Sequence, residues 1–423
     1  MLLEDGRIGA LIRRMPDENP GRVIGFEREI GMKRWLICLS VLLNPALAQA
    51  DAVTEWNMKA TQITLAAKLG PPDSWAILTT TAVAVSDALS AISGQSPIIA
   101  KLDRAPDALP EAAIASANHN VLLAMLPSQK EAIEAAYTAA ISKLPEKGQK
   151  EGIKLGSAAA EAVLAARKVD KEPVESYRPF TTAGKYVPTV LPISLTVALR
   201  KPWVLDKCEQ FRPGPPPELT SDIWARDYNE IKELGAKTKS KRTPEQTEIA
   251  TFWSAIHPII YVPIIQGGAN RDLAFNARFI AVASMATDDA TGAIFDAKYT
   301  YNFWRPVTAI RNGDIDGNDS TERDASWLPF IDTPMHPEYP CAHCIISGTI
   351  GGVIKAVHGN NIQLTTVSPN LPGKPHTWST VDDFMQEVQM ARIYDGVHYR
   401  NSTEVGTDMG RKIGEFAVAK YLK

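Results

Sequence analysis

The sequence predicts an all-α fold. Apolar residues recur at spacings of three and four along most of the chain, Ala-rich stretches are frequent, and strand-like alternation is scarce. The composition of the 423 residues, 45% hydrophobic and 22% charged, is globular and sufficient for one large or two ordinary domains. A net charge of −3 without a polybasic run argues against nucleic acid and lipid headgroups as partners. No fixed-period repeat is visible.

The first 50 residues read as a leader. Lys33 and Arg34 precede the apolar run Trp35 to Leu43, and Ala48-Gln49-Ala50 supplies a small-residue cleavage site. The apolar run is too short to span a bilayer, which takes about 20 residues. The expectation is a secretory signal with its true start at Met32, cut after Ala50. The product is secreted or periplasmic, with no stable membrane span after cleavage.

Helical spacing is then expected from Val53 to Leu69, stopped by Gly70-Pro71-Pro72, and again over Ser74 to Ile92, Leu109 to Leu126, Ser128 to Leu144 and Glu151 to Val169. Pro110 suits a first helical turn. From Glu172 to Leu219 prolines are dense, which predicts a long irregular segment over the surface. Thr220 to Leu234 reads as a helix and Lys237 to Arg242 as a solvated loop. Thr243-Pro244-Glu245-Gln246 is a helix start with a capping box, continued to Ile256.

Arg271 to Arg311 is the longest helical tract, expected to break near Asp296 and resume. On the resumed piece Lys298 and Arg305, two turns apart, share a face, with Pro306 at a kink or helix end. Asn312 to Pro340 is a polar loop. Its Asp314, Asp316, Asn318 and Glu322 fit a calcium loop poorly and read as a plain acidic loop. Further helices are expected over Ala342 to His358, with Gly348, Gly351 and Gly352 allowing close packing, over Ser379 to Ile393 with Thr380 or Asp382 near the cap, and over Gly406 to Leu422. The domain reading is a leader over 1–50, a helical scaffold with dimer contacts over 51–235, and a helical oxyanion-binding catalytic domain over 236–423.

Three pieces carry the chemistry: Lys298 to Pro306, Pro337-Glu338-Tyr339-Pro340-Cys341-Ala342-His343-Cys344, and Arg392 to His398. Any one of these residues alone reads as structural. Together, Lys298, Arg305 and Arg392 suit an anion with several charged oxygens. A helix starting near Cys341 adds free backbone N–H groups and its dipole. His398 is placed as the covalent nucleophile or metal ligand, and His343 opposite it as the acid/base group.

The three pieces resemble the signature of the vanadium-dependent haloperoxidase and type 2 phosphatidic acid phosphatase superfamily: Lys-x6-Arg-Pro, Pro-Ser-Gly-His and Ser-Arg-x5-His-x3-Asp. Phe303-Trp304-Arg305-Pro306 and Gly396-Val397-His398 look like the soluble haloperoxidase branch. The resemblance implies helical bundles and vanadate, or phosphate, held by Lys298, Arg305, Arg392, the Cys341-Ala342-His343 turn and His398, the last bonded to vanadium. His343 is the implied acid/base residue. The implied small-molecule substrates are hydrogen peroxide, halide and an organic acceptor, or a phosphate ester.

Four positions depart from that signature. Cys341 and Ala342 replace serine and glycine, and Ala391 replaces the serine before Arg392. Ser402 stands where an aspartate would orient His398; Asp395, Glu404 or a backbone carbonyl is expected to substitute. A Cys341–Cys344 bridge is compatible with i, i+3 spacing and with an oxidising compartment. His336 and Phe295 are candidates to line a halide or substrate pocket. The leading expectation is an exported vanadate-dependent haloperoxidase-like enzyme. The alternatives are an acid phosphatase using a phosphohistidine at His398 and a non-catalytic oxyanion-binding homologue.

Overall fold

Sharp helix punctuation organises the N-terminal half. The computed structural model describes residues 51–168 and 176–422; the leader lies outside them. Asp51 caps α1 (Ala52–Ala66) by accepting the Thr54 amide at 2.9 Å. Prolines open α2 (Pro71–Ser93) and α3 (Pro110–Met125), where no helical amide is needed. α4 (Lys130–Ile141) and α5 (Gln149–Ala166) complete this half. α2 is long and apolar enough to cross a membrane, but 83% of its apolar window is buried inside the fold.

The proline-rich segment is irregular, as expected, but it is more than a surface cover. Val197, Val204, Leu205 and Cys208 are buried. Asp289 accepts the amides of Trp203, Val204 and Leu205 at 2.7, 2.7 and 2.9 Å, and Asp288 accepts the Trp203 indole at 2.7 Å. Arg212 forks onto Asp296 at 2.7 and 2.6 Å. This strap is therefore fastened along one helix by three carboxylates.

α6 (Asp222–Leu234), α7 (Pro244–Trp253) and the short α8 (Val262–Gly267) follow. The Thr243–Gln246 capping box is present, although α7 stops at Trp253 rather than Ile256. The basic loop before it is only partly solvated. Arg242 donates to the carbonyls of Leu234, Ala236 and Tyr394 and lies over the Phe330 ring. The expected break near Asp296 is absent: α9 (Leu273–Tyr301) runs unbroken for 29 residues and stops at left-handed Asn302, φ 51°. Pro306 opens α10 (Pro306–Arg311) rather than kinking a longer helix. In the acidic loop, Asp316 accepts the Trp224 indole at 2.8 Å and the Thr321 hydroxyl, so it ties the loop to α6.

α11 (Ala342–His358) has the expected bounds. A short hairpin, β1 (Leu364–Thr366) against β2 (His376–Trp378), precedes α12 (Val381–Tyr394), and α13 (Arg400–Tyr421) closes the chain. The described residues thus hold thirteen α-helices and one small hairpin.

α11 and α13 approach so closely that side chains are excluded between them. A Cβ on Gly352 would sit 2.6 Å from the Arg411 carbonyl, and one on Gly410 would overlap the Ile345 carbonyl. The expected result for Gly410→Ala is a loss of about 1–3 kcal/mol, the usual cost of overpacking, measurable by denaturant unfolding. Oxyanion affinity should fall with it, because the N-terminus of α11 and the turn before α13 both border the site.

Candidate active site

The three sequence pieces converge, although not by the geometry expected of them. Lys298 lies in the last turn of α9, but Arg305 is the N-cap of α10, so the two do not share a helical face. Asn302 ends α9, and Phe303 then forms an antiparallel bridge with Lys185 of the strap. Tyr186 donates its amide to Asn302 at 2.7 Å, and Trp304 donates its own to Gly184 at 3.0 Å. That bend brings Arg305 back toward Lys298. His398 sits in the turn between α12 and α13, after Gly396 at φ 78°.

Lys298, Arg305, Arg392 and His398 are each at most 1% exposed. The Lys298 ammonium donates to the Pro337 and Glu338 carbonyls at 3.0 and 2.6 Å. Arg305 donates to the His336 and Val397 carbonyls at 2.9 and 2.8 Å, and its guanidinium lies 3.3 Å from His398 Nε2. Arg392 donates to the Trp253 carbonyl at 3.0 Å and to Asp395 at 2.5 Å, while its buried Nε has no hydrogen-bond partner.

The orienting carboxylate for His398 is Glu338, which sequence reasoning missed. Glu338 Oε1 lies 2.7 Å from His398 Nδ1 and also accepts the Tyr399 amide at 3.3 Å. Neither expected substitute does this: Asp395 pairs with Arg392, and Glu404 lies 3.9 Å from Arg400 at the surface. Ser402 is buried, and its carbonyl accepts the Cys341 amide at 3.2 Å. Burial pushes the Glu338 carboxyl up to about 7, against the opposing pull of Lys298, Arg305 and the Ser402 hydroxyl. Burial, then Arg305 and Lys298, hold His398 well below the usual histidine range, hence neutral. With Nδ1–H donated to Glu338, the lone pair rests on Nε2 and faces Arg305.

His343 lies in the first turn of α11, half-buried, with Nε2 3.2 Å from the Ala255 carbonyl. Burial and Arg392 keep it well below its ordinary range. With Nε2–H on that carbonyl, Nδ1 is left to exchange a proton. The amides of Ala342 and His343 open α11 and have no acceptor inside the helix. His336 is buried between Arg305, at 3.0 Å, and the edge of Phe295, with ring centroids 5.4 Å apart. Both therefore border the site.

Three buried cations face two buried carboxylates, Glu338 and Asp395, and burial pushes each carboxyl up to about 7. One positive charge is thus in excess when Lys298 is protonated, a form that burial and Arg305 oppose by pushing its pKa well down and that the charge of a bound oxyanion would favour. That surplus, the free amides of α11 and a histidine lone pair make a donor set that fits a tetrahedral oxyanion such as vanadate or phosphate. Among the described residues no group of three His, Cys, Asp or Glu side chains suits a bare metal cation.

Residues 278–423 match the family described as the VCPO second helical-bundle domain. The chain is similar in fold to the first bacterial vanadium-dependent iodoperoxidase solved as a crystal structure, at 24% identity and a TM-score of 0.70 over 88% of this chain and 97% of that one. It is also similar to a bacterial vanadium-dependent chloroperoxidase in its apo form, at 19% identity and a TM-score of 0.67 over 84% of this chain and 94% of that one. A holo-type bacterial vanadium-dependent chloroperoxidase gives 18% identity and a TM-score of 0.64 over 90% and 95%. No curated protein matches the chain in sequence.

Proposed function

We propose that the chain is a vanadate-dependent haloperoxidase oxidising halide with hydrogen peroxide, a reading supported by the match of residues 278–423 to the VCPO second helical-bundle domain. The observation that carries this reading is the neutral His398, its Nδ1 on Glu338 and its Nε2 beside Arg305. Lys298, Arg305, Arg392 and the Ala342 amide would hold vanadate oxygens, with His398 Nε2 as the protein ligand to vanadium. Vanadate, when bound, supplies the Lewis acid that activates peroxide toward halide. The protein supplies the remainder: Glu338 fixes the His398 tautomer, the cations balance oxyanion charge, and neutral His343 accepts a proton at Nδ1.

The test is bromide oxidation with hydrogen peroxide, with and without added orthovanadate. Activity is expected only with vanadate and is expected to vanish in His398→Ala. Bromide, chloride and iodide all left unreacted with vanadate present would overturn the reading. His343→Ala is expected to lower turnover by about 10²–10⁴-fold, the usual reach of an acid/base group, while phosphate binding measured by calorimetry is largely spared. Binding unchanged with no turnover in the unmodified protein would point instead to a non-catalytic oxyanion binder.

One observation favours an acid phosphatase as the second reading. Glu338 supplies the orienting carboxylate that Ser402 does not, so His398 is equipped to attack phosphorus. Against it, leaving-group protonation needs a charged His343, and burial beside Arg392 disfavours that form. Hydrolysis of p-nitrophenyl phosphate by the vanadate-free protein separates the two. We also propose export with cleavage after Ala50; the expected mature N-terminus on sequencing is Asp51.

A further inference from the structure

Cys341-Ala342-His343-Cys344 puts two cysteines three residues apart at the start of a helix. Both are fully buried and their Sγ atoms lie 2.6 Å apart. Cys341 is the N-cap of α11, and its sulfur accepts the Cys344 amide at 3.3 Å. The two residues between them are half-buried, so the turn carrying the sulfurs adjoins solvent. Cys208 is a built-in contrast. It lies alone against α9, and burial with the nearby Asp289 pushes its thiol up to about 12.

We propose that Cys341 and Cys344 are a redox-active dithiol set inside the oxyanion cradle, that hydrogen peroxide closes it to a disulfide, and that the closed form is the one that accepts the oxyanion. The inference rests on the oxyanion reading of the site. The electron-rich Cys341 sulfur uses what the oxyanion would use: the N-terminal end of α11 and the field of Arg392 and Lys298. Burial works against its thiolate, but the Cys344 contacts and Arg392 outweigh it and lower the Cys341 pKa, while that of Cys344 is raised. This is the arrangement of an attacking and a resolving thiol.

The Cys341 thiolate attacks one peroxide oxygen. The O–O bond breaks, and the departing hydroxide takes a proton to leave as water. Cys341 is then a sulfenic acid. The Cys344 sulfur attacks the Cys341 sulfur, the S–S bond forms, and the S–O bond breaks. The hydroxyl leaves with the Cys344 proton as a second water. Two thiols are oxidised and one peroxide is reduced to two waters, and an external dithiol reverses the reaction. Closure replaces an electron-rich sulfur with a neutral one, so the cradle no longer repels the oxygens of an anion.

The experiment uses the full chain, reduced with dithiothreitol, desalted and then treated with one equivalent of hydrogen peroxide. Peptide masses are expected to show the segment holding residues 341–344 losing two hydrogens and gaining no oxygen, while Cys208 remains alkylatable. Calorimetric titration with orthophosphate is then expected to show binding at least about tenfold tighter after peroxide than after reductant, the scale of removing a like charge a few ångströms from a site. In Cys344→Ser, reductant and peroxide should no longer switch the affinity between these two levels. Oxygen added to Cys341 in place of a disulfide would overturn the proposal. Equal phosphate affinity in both states would overturn it while leaving the oxyanion reading intact, whereas no phosphate binding in either state would remove both.

Discussion

Glu338→Ala is expected to weaken orthovanadate and orthophosphate binding by about 10–100-fold, the usual effect of losing the partner that orients a ligating histidine. In the unmodified protein Glu338 accepts a hydrogen bond from His398 Nδ1–H at 2.7 Å, with both side chains buried. Without that carboxylate the proton is free to move to Nε2, and the lone pair turns away from Arg305. Glu338→Gln keeps an acceptor oxygen in the same place and is expected to restore part of the affinity. A merely structural role would not predict that rescue. A direct check is the ¹⁵N shift of the His398 ring, which reports the tautomer. Nδ1-protonated imidazole in the unmodified protein and a mixture in Glu338→Ala are expected; identical spectra would remove Glu338 from this role.

The second large effect lies behind Arg392. Asp395→Ala leaves a guanidinium 1% exposed with only the Trp253 carbonyl on the same nitrogen. Breaking one side of a buried pair costs about 3–5 kcal/mol, so a marked fall in unfolding free energy is expected. The reverse change is milder because Asp395 can take up a proton. Burial pushes its carboxyl from 3.8 up to about 7 even with Arg392 beside it, and removing Arg392 removes the main opposing pull. A carboxyl whose folded pKa is raised contributes stability while protonated and loses it as pH rises through that value. The penalty of Arg392→Ala is therefore expected to grow between pH 6 and pH 8. A flat difference in unfolding free energy over that window would contradict it. Oxyanion affinity should fall at both pH values, since one of three cations is gone.

Much of the fold was legible because helix punctuation is local. Pro110, Thr243 with Gln246, and Cys341 ahead of an apolar run each act on amides within four residues, and the corresponding starts hold. The end of α9 was not legible. Asn302 adopts its left-handed backbone where Tyr177 and Tyr186 reach it, the former through its side-chain oxygen at 3.1 Å. Those partners come from a strap over 100 residues away in sequence. The site divides the same way. Lys298, Arg305, Arg392, His343 and His398 declared themselves by residue type and spacing, and the fold brings them together. Glu338 did not, because its partner is 60 positions away and an orienting carboxylate was sought beside His398 instead. A carboxylate set among prolines within the second piece was the available signal. The Ala255 carbonyl that holds His343 has no sequence signature at all, since every residue carries one.

The carboxylates that fasten the strap and the ammonium that serves the site stand on a single uninterrupted helix, α9. From Asp289 to Lys298 the spacing is a rigid length, about 14 Å at about 1.5 Å per residue. Inserting one residue between them would rotate everything beyond it by about 100° relative to everything before. Either the strap would lose Asp288 and Asp289, or Lys298 would turn out of the cradle. This stretch of chain should therefore tolerate substitution at many positions yet resist any change in length, and over it the count of residues matters more than their identity.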